Sequence, residues 1–158
     1  MITVIQGEIW GIFNKEENLD KWIVITTNGF VKKNMECVMG RGIAKQASQR
    51  FPKLPLELGQ NIILDGNCLF VFPEYRIITF PVKTHWIDKA NLAVVSESFE
   101  GLNEFINSEL RKEKEPIIYT TKVGCGNGKE KWSNIQPIME KYMSSLEKYI
   151  KVVDICLN

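Results

Sequence analysis

Two short glycine-containing segments are where this sequence could bind an anion. Gly40-Arg41-Gly42-Ile43-Ala44 follows the apolar run 22–27, with Asn28-Gly29 between them. Glycine lets the backbone approach an anion closely, and the first N–H groups of a following helix point at it with the positive end of the helix dipole. The spacing matches neither GxGxxG nor GxxxxGK[ST]. The segment therefore predicts an anion site other than a dinucleotide fingerprint or a P-loop.

The second segment is Gly124-Cys125-Gly126-Asn127-Gly128, which follows the strand-like run 117–121. In an open α/β sheet, ligands bind outside the carboxyl ends of the strands. Two such loops at one edge could hold opposite sides of a diphosphate. Either loop alone could be a simple turn, since glycine punctuates most loops. Both together, with Asn28 and Asn127 as polar side chains, favour a ligand.

A third candidate is the segment Phe80-Pro81-Val82-Lys83-Thr84-His85-Trp86. A lysine amine attacks carbon centres when burial lowers its pKa enough to free the lone pair. Lys83 could equally hold a phosphate as a cation, or be a solvated surface lysine, which is the commonest fate of lysines. His85 is the only histidine, and it could act as a general acid, contact a phosphate or pack structurally.

The elements that must position these residues follow from hydrophobic periodicity and turn signals. Helices are expected at 42–51, at 92–110 and after Ser133, which fits a capping box with Gln136. The turn signals Asp65-Gly66 and Pro73-Glu74 suggest a meander in the middle of the chain. Strands are expected at 2–5, 22–27, 62–64, 68–72, 75–80, 117–121 and 152–155. Strands that alternate with covering helices predict a three-layer α/β domain with a mixed sheet.

Length and composition bound the class of protein. The 158 residues fit one compact domain, so we expect a single domain over 1–158. The net charge of +1 argues against a general nucleic-acid coat, although a local basic patch remains open. We expect no membrane segment, no cofactor, no metal and a cytoplasmic protein. The four cysteines carry no CxxC pair and are expected to be reduced thiols: Cys37, Cys68, Cys125 and Cys156.

Several of these motifs in combination resemble those of the macrodomain family. They are Thr26-Thr27-Asn28-Gly29, the run 38–45, Phe51-Pro52, the second glycine segment and Trp132. The similarity spans nearly the whole chain. Macrodomains bind ADP-ribose and its derivatives in a cleft over a mixed sheet flanked by helices. The resemblance thus implies an α/β/α fold with a mostly parallel central sheet, and we expect a monomer.

The resemblance also implies roles for individual residues. Glu8 falls where the family usually places an Asp that accepts from the adenine amino group, and Ile9 would contribute a backbone contact. Asn28 matches the Asn near the distal ribose, and His85 is a further candidate ligand contact. The first phosphate loop would be Gly40, Arg41, Gly42 and Ile43. The second would be Val123, Gly124, Cys125, Gly126, Asn127 and Gly128.

The segment 80–86 resembles that of antitoxin macrodomains that remove ADP-ribose from DNA, and of the terminal ADP-ribose hydrolase subgroup, in which a Lys here is catalytic. The resemblance therefore implies that Lys83 is the catalytic residue. Some eukaryotic relatives carry an Asp in the second glycine loop that resolves the lysine intermediate. Gly128 takes that place here, as it does in the DNA-directed antitoxins. A mechanism with lysine alone, or no catalysis, is then expected.

Three functions remain open at this stage. One is hydrolysis of a glycosidic bond to ADP-ribose on a nucleic-acid base or a protein carboxylate. Another is binding of ADP-ribose, or of an NAD-derived signalling nucleotide, without turnover. The third is phosphatase action on ADP-ribose 1″-phosphate, for which Asn28 and His85 are the available polar groups. The expected partners are ADP-ribose or an ADP-ribosylated substrate, with ADP-ribosylated DNA among the candidates.

Overall fold

A mixed six-stranded sheet forms the centre of the molecule. The computed structural model describes residues 2–15 and 19–154. The strands lie in the order β1-β6-β5-β2-β4-β3. All neighbours are parallel except β3, which runs antiparallel to β4 at one edge. Their bounds are β1 Thr3–Gln6, β2 Lys21–Thr27, β3 Phe70–Phe72, β4 Ile77–Pro81, β5 Ile117–Thr120 and β6 Ile150–Asp154.

In the part of the chain that the structure describes, five α-helices cover the two faces of this sheet. α4 and α5 pack with one core cluster, and α1, α2 and α3 pack with the other. The expected three-layer arrangement with a mostly parallel mixed sheet is therefore confirmed. Among the described residues, none of these helices has the length and apolar character needed to cross a bilayer. Their bounds are α1 Ile9–Lys15, α2 Gly42–Arg50, α3 Leu54–Asp65, α4 Leu92–Arg111 and α5 Trp132–Met143.

β2 is a largely buried strand that lies between β5 and β4. Ile23, Val24 and Ile25 are fully buried, as expected for a strand covered on both faces. Because β2, β4 and β5 are parallel, the loops that follow them leave the sheet at the same edge. Asn28, Lys83 and the two glycine segments lie on these loops.

The amphipathic helix expected at 92–110 is confirmed as α4. Its apolar stripe includes Val95, Phe99, Leu102 and Ile106, which are buried against the sheet. Asn91 caps its N-terminus, because the Asn91 side chain accepts hydrogen bonds from the backbone N–H groups of the first turn. The helix expected at 42–51 is likewise found as α2.

The strand expected at 62–64 is wrong, because these residues form the last turns of α3. Leu54, Leu58 and Ile62 recur every four residues and pack into the core, which is a helical period. The β-branched pair Ile62-Ile63 concealed this period. The expected meander is therefore reduced to the hairpin of β3 and β4.

Two other helix starts differ from expectation. α5 begins at Trp132, so Ser133 lies inside the helix and the capping box with Gln136 is wrong. The helix α1 was not anticipated, because the segment is short and its amphipathic pattern spans only two turns. The closing strand is observed as β6, and Ile155 of the expected 152–155 lies outside the described residues.

We predict that Gly59→Ala destabilises the protein by about 1–3 kcal/mol. A Cβ at Gly59 would overlap the Met35 carbonyl oxygen, because α3 packs there directly on the backbone of the loop after β2. Gln60→Ala, one position along and exposed, is the matched control and should change stability by less than about 0.5 kcal/mol. Urea unfolding of both variants measures the difference. Equal effects would show that the close approach of α3 to the loop after β2 does not contribute to the stability of the protein.

Candidate functional site

Hydrogen bonds join the loops that follow β2, β4 and β5. The N–H of Gly29 donates to the carbonyl of Thr84 at 2.9 Å, and this bond links the first two loops. The N–H of Ala90 donates to the carbonyl of Gly128 at 2.8 Å, and this bond links the loop after β4 to the second glycine segment. The three loops thus form one connected surface at the carboxyl edge of the sheet.

The two glycine segments lie side by side. A Cβ at Gly42 would stand 2.8 Å from the Asn127 side-chain nitrogen, and Gly42 has a φ of +56°. The second segment folds tightly on itself, because a Cβ at Gly128 would stand 2.5 Å from the carbonyl oxygen of Gly124. The structure therefore brings both predicted phosphate loops to one place, and only glycine fits their closest approaches.

The N-terminus of α2 faces this surface without a capping side chain. Arg41 occupies the N-cap position and makes no side-chain hydrogen bond to the helix, and the first turn carries no acid. A Cβ at Gly40 would meet nothing within 4 Å, so the backbone there borders open space. Ile43 packs partly into the core and fixes the first turn. The free N–H groups and the helix dipole suit an anion.

Lys83 is a buried lysine with an unusual set of partners. Its side chain follows β4, and the residue is only 8% exposed. The Lys83 Nζ donates to the carbonyl of Asp88 at 3.0 Å and to that of Asn127 at 3.4 Å. Within the described part of the chain, no carboxylate forms an ion pair with it. The Asn127 contact places the amine against the second glycine segment.

The surroundings lower the pKa of Lys83. Burial is the main cause, and the positive charges of Lys129 and Arg41 act in the same direction, while Asp88 opposes them. Desolvation and like charge both disfavour the protonated amine. The site therefore favours a neutral Lys83 more than water does.

Asn28 lies at the end of β2 and is nearly buried. Its Nδ2 donates to the carbonyl of Val38 at 2.9 Å, and its Oδ1 accepts from the N–H of Phe30 at 2.9 Å. The amide thus closes the loop that leads to the first glycine segment. One N–H of the amide has no partner in these bonds, and it can donate to a ligand.

His85 lies on the same loop as Lys83, with its ring against that of Phe30 at a centroid distance of 4.6 Å. Its Nδ1 accepts a hydrogen bond from the N–H of Ile87 at 3.2 Å. In the neutral ring the proton therefore sits on Nε2, which can donate outward. Beyond it, the side chains of Trp86 and Ile87 are 43% and 66% exposed.

Glu8 and Ile9 lie after β1, which β6 and β5 separate from β2. The Glu8 carboxylate caps α1, because it accepts hydrogen bonds from the N–H groups of Trp10 at 3.1 Å and Gly11 at 2.7 Å. Ile9 is buried in the core. The structure places Glu8 at the same edge of the sheet as the loops, in a capping role that the sequence did not indicate.

Cys125 and Val123 belong to the start of the second segment. Val123 is buried in the core, and the Cys125 thiol lies 3.5 Å from the Val123 carbonyl. Burial is the main cause that raises the pKa of the Cys125 thiol, so the thiol is not activated. Of the residues that the structure describes, no group of three or more His, Cys, Asp or Glu could hold a metal ion.

Sequence reasoning missed Glu130, a buried carboxylate at the end of the second glycine segment. It accepts hydrogen bonds from Lys131 N–H at 2.8 Å and Asn134 Nδ2 at 2.9 Å, and it lies 3.4 Å from Lys89 Nζ. These contacts lower its pKa, the Asn134 hydrogen bond most of all. Glu130 thus connects α5 to the loop after β4. No sequence signal marks it, because its partners come from separate elements.

Two proteins are similar to this chain in sequence, and no protein-family model matches it. An uncharacterized 17.5 kDa protein from the tk–vs intergenic region of Enterobacteria phage T4 is 28% identical over 98% of this chain and 96% of its own length. A DNA ADP-ribosyl transferase–DNA ADP-ribosyl glycohydrolase fusion protein of Thermosipho africanus is 26% identical over 77% of this chain. The matched region is 37% of that fusion protein.

The macrodomain of Mycobacterium tuberculosis DarG superimposes with a TM-score of 0.73 over 100% of this chain and 99% of that one, at 22% identity. The chain has the macrodomain fold. Thermosipho africanus DarTG, solved in complex with ADP-ribose, superimposes on this macrodomain with a TM-score of 0.70 at 16% identity. The match covers 98% of this chain and 42% of DarTG. The fold that the motif resemblance implied is thereby confirmed.

We predict that Gly42→Ala lowers the stability of this macrodomain by about 1–2 kcal/mol, because an L-residue is strained at its positive φ. Gly40→Ala is the matched control from the same segment, since its Cβ would meet nothing. It should change the free energy of unfolding by less than about 0.5 kcal/mol. Urea unfolding compares the two. A loss as large for Gly40→Ala would contradict this geometry.

Proposed function

We propose that this macrodomain binds ADP-ribose across the two glycine segments and removes it from a modified macromolecule through Lys83. The observation that carries the proposal is a buried lysine without a carboxylate partner in the described structure, in contact with the backbone of the second glycine segment. The similarity to a DNA ADP-ribosyl glycohydrolase fusion protein and to a macrodomain solved with ADP-ribose supports it.

In the proposed complex the diphosphate lies between the N-terminus of α2 and the second glycine segment. Backbone N–H groups suit a diphosphate, because they bind its charge without a buried cation that must be desolvated. The distal ribose then lies toward Asn28 and Lys83, and the adenine toward Glu8. The capping role of Glu8 leaves lone pairs on both carboxylate oxygens, so an adenine amino group can still donate to it.

Lys83 would act as a nucleophile on the anomeric carbon of the distal ribose. The neutral amine forms a bond to C1″, the glycosidic bond breaks, and its electron pair leaves with the base, which takes up a proton. The ribose ring can then open to give an imine between C1″ and Lys83, as lysines form with carbonyl groups. Water hydrolyses this imine and restores the amine. Gly128 supplies no carboxylate for this step, so Lys83 would act without an acidic partner from that position.

Capture of ADP-ribose without turnover is the second candidate function. The two hydrogen bonds that the Lys83 Nζ donates to carbonyl oxygens favour it. An ammonium group held in this way can attract a phosphate and never attack carbon. The pKa shift of Lys83 favours the catalytic function over this one, because burial destabilises the charged form that a simple phosphate contact needs.

The modified macromolecule in this proposal is DNA. The name of the Thermosipho africanus relative supports this choice. So does the rim of the site, where Trp86 is exposed on the same loop as the exposed Lys89. An exposed indole ring can stack on a nucleic-acid base, and neighbouring lysines can contact the phosphate backbone.

The test uses three substrates: an oligonucleotide ADP-ribosylated on thymidine or guanosine, an ADP-ribosylated protein, and ADP-ribose 1″-phosphate. We expect release of ADP-ribose from the oligonucleotide. Lys83→Ala should lower this rate by about a hundredfold or more, while the Kd for ADP-ribose measured by calorimetry changes little. Lys83→Arg is the matched control, because it keeps the cation and removes the nucleophilic amine.

The outcomes separate the candidate functions. If Lys83→Arg retains the rate, the nucleophile assignment is wrong. If wild-type protein binds ADP-ribose and releases none, the protein is a binder. Absence of ADP-ribose binding would overturn the proposal altogether. Borohydride reduction during turnover should also leave ADP-ribose attached to the peptide that contains Lys83, as detected by mass spectrometry.

The rate of ADP-ribose release should rise with pH and level off above the pKa of Lys83, because only the neutral amine attacks. The positive charge of Lys129 helps to lower this pKa. Lys129→Gln should therefore raise the pKa of Lys83 and move the pH–rate profile to higher pH. The control is Lys148→Gln, an exposed lysine beside Tyr149, which should leave the profile in place. A profile that Lys129→Gln does not move would argue against Lys83 as the titrating group.

A further inference from the structure

Asn67 is a polar residue outside the predicted site whose side chain reaches the backbone of Lys83. It follows Gly66, the C-cap of α3, whose φ of +90° turns the chain from the helix toward β3. The Asn67 Nδ2 donates to the carbonyl oxygen of Lys83 at 3.1 Å. The turn between α3 and β3 is thereby connected to the residue that carries the proposed nucleophile.

The same side chain fills the space above Gly29. A Cβ at Gly29 would stand 2.6 Å from Cγ and 2.7 Å from Nδ2 of Asn67. The backbone of Gly29 itself donates to the carbonyl of Thr84 at 2.9 Å. Two consecutive carbonyls, those of Lys83 and Thr84, are therefore each held by a donor, one from Asn67 and the other from the loop after β2.

One of the two polar atoms of the Asn67 amide makes no hydrogen bond within the described structure. Its Oδ1 is buried and accepts no hydrogen bond from the residues that the structure describes. A buried acceptor without a partner is unfavourable for folding, because it loses its hydrogen bonds to water and gains none in the protein. The hydrogen bond that this amide donates goes to the Lys83 carbonyl, so the polar function of the side chain is directed at the backbone of Lys83.

We propose that Asn67 is a positioning residue, whose amide wedges between Gly29 and the Lys83 carbonyl and sets the placement of Lys83 relative to Asn28. This inference rests on the proposed function of Lys83. Asn67 touches no substrate in it and acts through the backbone of Lys83. Small displacements of a reacting group lower rates strongly, because the attack needs aligned atoms at contact distance.

The experiment compares Asn67→Ala with Asn103→Ala. Asn103 makes the same kind of bond far from the site, from Nδ2 to the carbonyl of Tyr142 at 2.7 Å between α4 and α5. Both variants lose one bond from a side-chain amide to a backbone carbonyl, and Asn103→Ala also loses the bond that the Asn103 Oδ1 accepts from Asn107 Nδ2 at 2.9 Å. We expect Asn67→Ala to lower the kcat for ADP-ribose release about tenfold or more with the Kd for ADP-ribose within about twofold of wild type, and Asn103→Ala to leave both unchanged.

Gly29→Ala supplies a second, independent route to the same contact. Gly29 does not have a left-handed φ, so the added methyl group acts through its overlap with the Asn67 amide. The double variant Gly29→Ala/Asn67→Ala should then be no slower than Asn67→Ala alone, because the amide that the methyl displaces is already absent. Asn67→Asp keeps the side-chain volume but cannot donate to the Lys83 carbonyl, and it should lose kcat as Asn67→Ala does.

A measurement that needs no activity keeps this test separate from that of the proposed function. Labelling of Lys83 by an amine-reactive reagent, followed across pH by mass spectrometry, reports the titration of its amine. Asn67→Ala should loosen the backbone of Lys83, admit water and raise the labelling midpoint, whereas Asn103→Ala should not. If wild type shows no turnover but the midpoint moves, only the proposed function fails. Two results would show that Asn67 does not position Lys83. One is an additive loss of kcat from Gly29→Ala and Asn67→Ala in the double variant. The other is the same labelling midpoint in Asn67→Ala and Asn103→Ala.

Discussion

β2 pairs in parallel with β4 on one side and with β5 on the other, and the register at its end aligns Thr26 with Phe80 and Thr27 with Pro81. Asn28 after β2 and Val82 after β4 therefore lie close to each other. The N–H of Val82 donates a hydrogen bond to the carbonyl of Thr27, the last residue of β2. A parallel pair cannot be joined by a tight hairpin, so each strand must end in a longer connection. Those connections are the loops of the site, and their meeting depends on this pairing.

The electrostatics of the site depend on a buried lysine, Lys83, that forms no ion pair with a carboxylate in the described structure. Burying an ammonium group without a carboxylate is unfavourable by several kcal/mol unless other groups compensate. The carbonyls of Asp88 and Asn127 compensate Lys83 in part. A bound diphosphate would stabilise the charged amine and work against a nucleophile. Arg41 and Lys129 offset that effect, because their positive charges lower the pKa of Lys83. In the proposed function, the same cations would attract the diphosphate and keep the pKa of Lys83 lowered.

Hydrophobic periodicity and the placement of glycines were sufficient to predict the elements that such short stretches of sequence encode. The continuous apolar run of β2, the helical stripe of α4 and the glycine segment before α2 were all identified correctly. α3 was not, because two adjacent β-branched residues outweighed a helical period that becomes visible only when one face is known to be buried.

The contacts of the site could be predicted only as far as its residues lie in recognisable segments. Asn28, Lys83 and both glycine segments belong to such segments, and the fold brings them to one edge. Asn67 and Glu130 do not, since their partners come from elements distant in the chain. Glu8 was named as a candidate from the sequence, but its structural role was not predicted. Its carboxylate caps a helix that the sequence did not reveal, so its main structural contact was invisible.

The helix N-termini of this macrodomain differ in a way that bears on where an anion can bind. Glu8 accepts from the first N–H groups of α1, Asn91 does so for α4, and Glu130 accepts from the N–H that precedes α5. A carboxylate or amide oxygen at a helix start uses the same donors and dipole that an external anion would use. α2 has no such group, and its first turn carries no acid. α3 also begins without a side-chain cap, but its first turn carries Glu57. α2 starts at the glycine segment beside Asn127, so a helix start with neither a side-chain cap nor an acid in its first turn lies at the site.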